Sequence, residues 1–390
     1  MKCYNKCLRI FDLRKVIEEK IVKEKIRVGI VGTGLMGSAH TKALRWNDIE
    51  VAGILGSSYE KSIQAAGELG IAKAYHSFEK LVNDDQIDVI HLTTPNHLHF
   101  PHAKSALLAG KHVVCEKPLA MTTEESKELM LLGREKNLVT AVNFNFRMSD
   151  MIQKALEIVR NGEIGKPFII HGSYLQDWLL YPTDWNWRLD TNVGGQLRTV
   201  GDIGSHWLDL VSYVSGLRIL EVFADFKTFY DKRYKLTETG KQQEINIDSE
   251  DYASILIHFE NGVQGVLSIS QLCAGHKNRL FFEINGSKSS IAWNAEQSDQ
   301  LWLGYRDQEN QILKNEQKKY LSSENKKQTS SDTFNELYRR IYSYLLAGDK
   351  RHKPDFPTFE DGHYGMLVSE AIEQSASEKV WKKVRIEELN

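Results

Sequence analysis

Ile26-Arg27-Val28-Gly29-Ile30-Val31-Gly32-Thr33-Gly34-Leu35-Met36-Gly37 decides how this sequence folds. A β-branched run ends on Gly32-x-Gly34-x-x-Gly37, and Leu35 to Asn47 then carries the apolar spacing of a helix. In such a turn Gly32 permits the tight reversal, Gly34 lets backbone approach a bound pyrophosphate, and Gly37 lets the helix pack close to the strand. The free N–H groups at the helix start attract phosphate charge. The turn, including Thr33, Leu35 and Met36, therefore reads as a dinucleotide cradle.

Outward from this turn, short apolar runs alternate with helix-length segments. Strands are expected at Glu50-Leu55, Ala72-Tyr75, Ile87-Leu92, His112-Cys115 and Leu138-Asn143, and helices at Tyr59–Leu69, His99–Ala109 and Thr122–Lys136. Gly110 suits a helix C-cap, and Thr122 or Thr123 an N-cap followed by glutamates. Strands apolar on both faces and separated by helices describe a parallel, doubly wound α/β sheet. The expected domains are an extension over 1–25, a dinucleotide-binding Rossmann domain over 26–145, and a second α+β domain over 146–390. A chain of 390 residues is long enough for two cores.

The second part changes character. After a helix near Met151–Arg160, strand-like runs dominate: Phe168-Leu175, Leu220-Tyr230, Tyr252-Phe259, Val263-Leu272, Arg279-Asn285 and Ser290-Trp293. Asn261-Gly262 between two of them is a hairpin signal, so an open, mainly antiparallel sheet is expected. Lys232 to Asp248 and Gln308 to Ser331 read as polar loops. Two helices follow, near Asp332–Leu346 and Phe359–Ser377. The segment before Ile26 is charged throughout and reads as an extension, with an amphipathic helix one option.

Composition narrows the function classes. The chain is 41% hydrophobic and 26% charged, with a net charge of -2, which gives no electrostatic reason to expect nucleic acid or an anionic membrane as a partner. No apolar run is long enough to span a bilayer. Cys3, Cys7, Cys115 and Cys273 form no paired spacing, so a reducing cytoplasm is the expected setting. His91, His97, His99, His102 and His112 are close in sequence but lack metal-ligand spacing, and no metal is expected.

Ligands of open α/β sheets sit outside the carboxyl ends of the strands. Thr94-Pro95-Asn96-His97, Glu116-Lys117-Pro118 and the stretch from Asn143 through Asn145 to Arg147 all fall there. The strand-end carboxylate that would hold a ribose 2′-hydroxyl is missing: the chain reads Leu55-Gly56-Ser57-Ser58-Tyr59-Glu60-Lys61. Ser57, Ser58 and Lys61 could instead bind a 2′-phosphate, or serve only as a turn and helix start. The cofactor is thus NAD(P), with the balance tilted toward NADP and not decided. Lys117 can give or take a proton. Asp202 and His206, one helical turn apart, form a carboxylate–imidazole pair suited to acid–base work or to a plain surface contact. Asp177, Trp178, Trp185, Trp187 and Arg188 offer ring-stacking faces and hydroxyl-binding groups for a sugar, or else a satellite core beneath a loop.

These stretches carry a family resemblance. Gly32-Thr33-Gly34-Leu35-Met36-Gly37, Thr94-Pro95-Asn96-His97, Ala109 through Glu116-Lys117-Pro118 to Ala120, Asp202-x-Gly204-x-His206 and Pro357-Thr358-Phe359-Glu360-Asp361-Gly362 resemble the glucose-fructose oxidoreductase / inositol dehydrogenase (Gfo/Idh/MocA) family, from Ile26 onward. The resemblance implies an NAD(P)-dependent oxidoreductase acting on a ring hydroxyl of a sugar, glycoside or polyol. It implies that His206 takes the hydroxyl proton, that Lys117 bonds the same oxygen and that Asp202 orients substrate or His206. It also implies a homo-oligomer, dimer or tetramer, built through the second sheet. Two other readings stay open: an NAD-dependent glycosidase that retains its cofactor, and a non-catalytic regulator of the same fold.

Overall fold

The computed structural model describes residues 25–237, 240–315, 329–348 and 352–386. The expected N-terminal extension, apart from Lys25, lies outside the described residues, as do Cys3 and Cys7.

The first domain alternates strand and helix as the apolar periodicity demands. Its elements are β1 (Arg27–Val31), α1 (Leu35–Trp46), β2 (Glu50–Leu55), α2 (Tyr59–Leu69), β3 (Lys73–Ala74), α3 (Phe78–Val82), β4 (Val89–Leu92), α4 (His99–Leu108), β5 (His112–Cys115), α5 (Thr123–Glu135) and β6 (Thr140–Val142). The six strands lie in the order β3-β2-β1-β4-β5-β6, each pair parallel. The order reverses between β1 and β4, so the connections leaving these two strands diverge and open a crevice at their carboxyl ends. Ser58 and Thr122 cap α2 and α5, accepting from the N–H of Lys61 and Glu125.

The second domain begins with α6 (Asp150–Arg160) and β7 (Pro167–Leu175). A long loop then leads to a π-helical turn, Val200–Gly204, that runs directly into α7 (Ser205–Ser215). Next come β8 (Ile219–Lys227), β9 (Lys232–Leu236), β10 (Gln242–Asn246), β11 (Tyr252–Phe259), β12 (Gln264–Ser270), β13 (Arg279–Gly286), β14 (Ser290–Asn294), β15 (Gln300–Gly304) and β16 (Gln311–Lys314). Helices α8 (Thr329–Ala347) and α9 (Phe359–Glu378) and the short β17 (Lys382–Lys383) complete the described fold. Nine strands form one sheet in the order β16-β15-β14-β13-β7-β12-β11-β8-β17, antiparallel except for the parallel pair β7–β12. Asn261 and Gly262 both have positive φ, 59° and 75°, as the expected tight hairpin between β11 and β12 requires.

Two expectations need correction. Lys232 to Asp248 is not a loop: β9 and β10 pair as a separate antiparallel hairpin. Gln308 to Ser331 is likewise not all loop, since Gln311–Lys314 pairs with β15 and α8 starts at Thr329.

Helices α6, α7 and α9 cover one face of the nine-stranded sheet. Trp207 of α7 is fully buried there and donates its indole N–H to Phe281 O at 2.8 Å. The opposite face leaves Phe168, Ile169, Leu256 and Val266 exposed. Helix α8 does not join this domain's core. Phe334, Leu337, Tyr338, Ile341 and Tyr342 pack with Ile30, Leu44 and Ala141, completing one side of the first sheet. Among the described residues no helix is long and apolar enough to cross a membrane.

Candidate active site

The glycine turn has the shape its sequence demands. Gly32 sits at φ 117°, and any side chain there would strike Thr93. A Cβ on Gly37 would lie 2.1 Å from Gly32 O, which is the close helix approach expected. A Cβ on Gly34 would meet no protein atom within 4 Å, so the protein leaves the space outside this residue open. Leu35, beside it, is 85% exposed. These features fit a dinucleotide lying across the carboxyl ends of β1 and β4, with Thr33 and Met36 in the same turn.

The strand-end segments meet at this crevice. His99, fully buried, places Nδ1 2.7 Å from Pro118 O and Nε2 2.9 Å from Thr94 O, clasping the two loops that follow β4 and β5. Thr94 Oγ1 is buried without a hydrogen-bond partner among the described residues, and Pro95 leads into the helical turn Asn96–Leu98. His97 is exposed, whereas Asn96 is buried and donates to Gly194 O at 2.7 Å. Asn145 is also buried, but its amide donates to Thr333 Oγ1 of α8.

Glu116 is held by residues from other elements. His40 Nε2 donates to Oε1 at 3.0 Å, and the Asn143 amide donates to the same oxygen at 2.6 Å. Behind His40 stand His91, 3.0 Å away through Nδ1, and the Tyr342 hydroxyl, 2.7 Å from His91 Nε2. One arrangement of protons satisfies this buried row: Tyr342 donates to His91, His91 to His40, and His40 to the carboxylate. Burial alone would push Glu116 up, but the His40 hydrogen bond, the Lys117 charge and the Asn143 amide bring it down to about 2.

The candidate acid–base groups lie one step further on. Lys117 Nζ donates to Asp202 O at 2.6 Å and to Asp202 Oδ1 at 2.9 Å. A lysine ammonium has three N–H donors, so one remains for the cleft. Arg188 Nε shares Asp202 Oδ1 at 3.0 Å, and the Gln271 amide donates to Oδ2 at 2.8 Å. Burial would raise the Asp202 carboxyl, yet the charges of Lys117 and Arg188 and the Lys117 hydrogen bond carry it far below the usual carboxylate range. His206, in the first turn of α7, is lowered to about 3 by burial and then by the Lys117 charge, against the opposing pull of Glu116 and Asp202. Its imidazole is therefore neutral. Phe146 packs edge-on against it at 5.0 Å.

The loop between β7 and the π-helical turn roofs this cleft, which is lined by Asn96, Lys117, Arg188, Gly194, Leu197 and Asp202. Only part of the expected sugar-binding set gathers here. Arg188 stacks over the Trp187 ring at 4.4 Å and reaches Asp202. Trp178 and Trp185 instead pack on a satellite core of Leu179, Leu189 and Ile247. Asp177 accepts from Lys277 at 2.7 Å. Arg147 is 9% exposed and is bound by Asp209 and Asp361, so its charge is already compensated inside the second domain. At the end of β2, Lys61 Nζ donates to Ser57 Oγ at 3.2 Å, while Ser58 is occupied as the α2 cap. The histidines near the crevice disperse: His91 and His99 as above, His102 stacked on Phe78 at 4.1 Å, and His112 accepting from Val139 N. Gln271 and His40 escaped the sequence reading, because each reaches the site only through the three-dimensional fold.

A dinucleotide crevice beside a lysine, a carboxylate and a neutral imidazole is the site of a nicotinamide-dependent oxidoreductase. The chain matches the oxidoreductase family with NAD-binding Rossmann fold (GFO_IDH_MocA) over residues 26–144, and the GFO/IDH/MocA C-terminal domain over residues 152–292. It is 30% identical to levoglucosan dehydrogenase of Pseudarthrobacter phenanthrenivorans over 390 residues, covering 93% of this chain and 98% of the relative. It is 25% identical to myo-inositol 2-dehydrogenase of Thermotoga maritima, covering 93% and 99%. A solved structure of levoglucosan dehydrogenase in complex with NADH and L-sorbose superposes with a TM-score of 0.84 at 28% identity, covering 92% of this chain and 98% of that one. This chain belongs to the Gfo/Idh/MocA family of oxidoreductases.

Proposed function

We propose that this chain is a dehydrogenase that oxidises a ring hydroxyl of a sugar, glycoside or polyol with NAD(P). The reading rests on one observation: Lys117 is fixed by two bonds to Asp202 with a third N–H left over, next to the neutral imidazole of His206. When bound, the nicotinamide would supply the hydride acceptor. Lys117 donates to the substrate oxygen and holds it in place. His206 takes the hydroxyl proton, and Asp202, whose oxygens are already bonded to Lys117, Arg188 and Gln271, keeps Lys117 aimed. Arg188 and Trp187 offer a donor and an aromatic face to the substrate's other hydroxyls and C–H surface. Relatives acting on levoglucosan and on myo-inositol support a cyclic polyhydroxyl substrate.

At the adenosine end, Ser57 and Lys61 stand where other dinucleotide folds place a carboxylate, which favours acceptance of a 2′-phosphate. The exposed Phe168, Ile169, Leu256 and Val266 suit association of two copies through the open sheet face, a dimer that light scattering would reveal.

The deciding experiment measures NAD(P)H formation over a panel of sugars, polyols and glycosides, with product analysis. Net reduction of the cofactor is expected, falling by about 10²–10⁴-fold in Lys117→Ala and His206→Ala while cofactor binding persists. Glycoside cleavage without net reduction, or no change in any sugar, would overturn the reading, as would full activity in both variants.

A further inference from the structure

Gln271 directly follows β12, outside every segment that carries the glycine turn, the lysine or the histidine. It is fully buried, and its backbone carbonyl accepts from Leu179 N at the start of the roof loop. Its side-chain nitrogen donates to Asp202 Oδ2 at 2.8 Å, whereas its side-chain oxygen is buried with no hydrogen-bond partner among the described residues. An amide has one end that donates and one that accepts, and a carboxylate only accepts, so the nitrogen must face Asp202. Leaving the oxygen unpaired in the interior is a standing cost, of the kind retained where function needs it.

The need lies in how Asp202 is loaded. Both cations, Lys117 and Arg188, sit on Oδ1, and both Oδ1 bonds are near 3 Å. A carboxylate held by one oxygen can turn about its Cβ–Cγ bond and exchange its two oxygens. Each such turn would move the atom to which Lys117 is tethered, and the ammonium with it. A donor fixed on Oδ2 removes that freedom.

We propose that Gln271 is a positioning residue: by holding Oδ2 it locks the Asp202 carboxylate against rotation and keeps the spare N–H of Lys117 aimed into the cleft. This rests on Lys117 and His206 being the reacting pair.

Two nearly isosteric variants test it. In Gln271→Leu the donor is gone at every pH. In Gln271→Glu the protonated side chain donates an O–H to Asp202 as the amide did, and the ionised side chain repels it. The expected kcat of the leucine variant is down on the order of 10²-fold across the pH range, with cofactor Kd unchanged. The glutamate variant should stay within a few-fold of the unmodified chain near pH 6 and fall toward the leucine variant by pH 9, as its new carboxyl ionises. A loss from simple disturbance of packing would not follow pH in this way. A second measurement needs no turnover. The 13Cγ resonance of Asp202 at neutral pH, assigned by its disappearance in Asp202→Asn, should broaden in Gln271→Leu, as the carboxylate gains freedom to turn, and stay sharp in the unmodified chain. If no sugar is oxidised, the proposed function fails while this line shape still decides the lock. An unchanged kcat in Gln271→Leu, equal pH-independent losses in both variants, or an unchanged Asp202 line shape would overturn the assignment.

Discussion

Two carboxylates that each hold an arginine of the roof loop are built from the same parts and do different work. Asp202 receives Lys117 and Arg188; Asp251 receives Arg198 and Arg233. Around Asp251 every side chain is at 0% exposure, its second oxygen accepts the backbone N–H of Phe229 and Tyr230, and the two arginines spend further bonds on the carbonyls of Glu250, Leu179 and Tyr181. Around Asp202 the charged side chains keep 10% to 29% exposure and border a cleft, and the Lys117 ammonium bonds to Asp202 alone among the described residues. Counting charges does not tell these clusters apart. What separates them is whether a cation with a donor left over has space in front of it.

Exchanging each carboxylate for its amide should therefore give opposite results. Asp251→Asn leaves two buried guanidinium groups short of a counterion and should cost about 3–5 kcal/mol in denaturant unfolding, with the roof loop the first part to loosen. Asp202→Asn should cost at most about 2 kcal/mol of stability, because Lys117 and Arg188 can turn toward the cleft. Its kcat/KM should drop by about 10²–10³-fold. Equal stability losses in the two variants would erase the distinction.

A smaller effect concerns pH. His206 is lowered to about 3 from an ordinary 6.5, so the folded chain keeps this imidazole neutral where the unfolded chain protonates. The sign follows from linkage: the unfolded state binds the extra proton, so His206 subtracts stability as pH falls below 6.5, down to about its folded value. The catalytic consequence runs the other way: as the proposed base, His206 stays unprotonated well below pH 6.5. The acid limb of kcat/KM should lie below about pH 5, and a limb centred at about 6.5 would show that His206 is not the base.

The smallest effect should come from the exposed end of the crevice. Lys61→Glu restores a carboxylate near the end of β2 and should shift the kcat/KM ratio about tenfold toward NAD, consistent with one exposed charge. No shift would mean that Lys61 does not face the ribose.

The contrast between clusters also explains what the sequence could show. The first sheet was legible strand by strand because its signals are local: apolar runs, the Ser58 and Thr122 caps, and glycines that punctuate turns. Asn261-Gly262 was legible for the same reason. The β9–β10 hairpin was not, because strands such as Gln242-Gln243-Glu244-Ile245-Asn246 are mostly solvated and show no apolar alternation. The parallel pairing of β7 with β12 joins segments far apart in the chain and leaves no mark in either. At the site, Lys117, Asp202 and His206 stood out as chemical types beside strand and helix ends. Arg147 and Asp177 looked equally suitable, and only their partners, Asp209, Asp361 and Lys277, show that both are engaged elsewhere. The tryptophans illustrate the same limit: composition cannot distinguish a ring that packs a loop from one that meets a ligand.

Helix α8 bears on how the protein comes into being. The nucleotide-binding sheet leaves the ribosome before the helix that seals it, with Tyr338 against His40 and Tyr342 against His91, because most of the second domain is translated between them. Until Thr329–Ala347 emerges, part of one side of that sheet and the histidine row behind Glu116 lack their cover. The first domain must therefore wait for most of the second before it can finish folding, and a fragment ending at its last strand would display an apolar face prone to association.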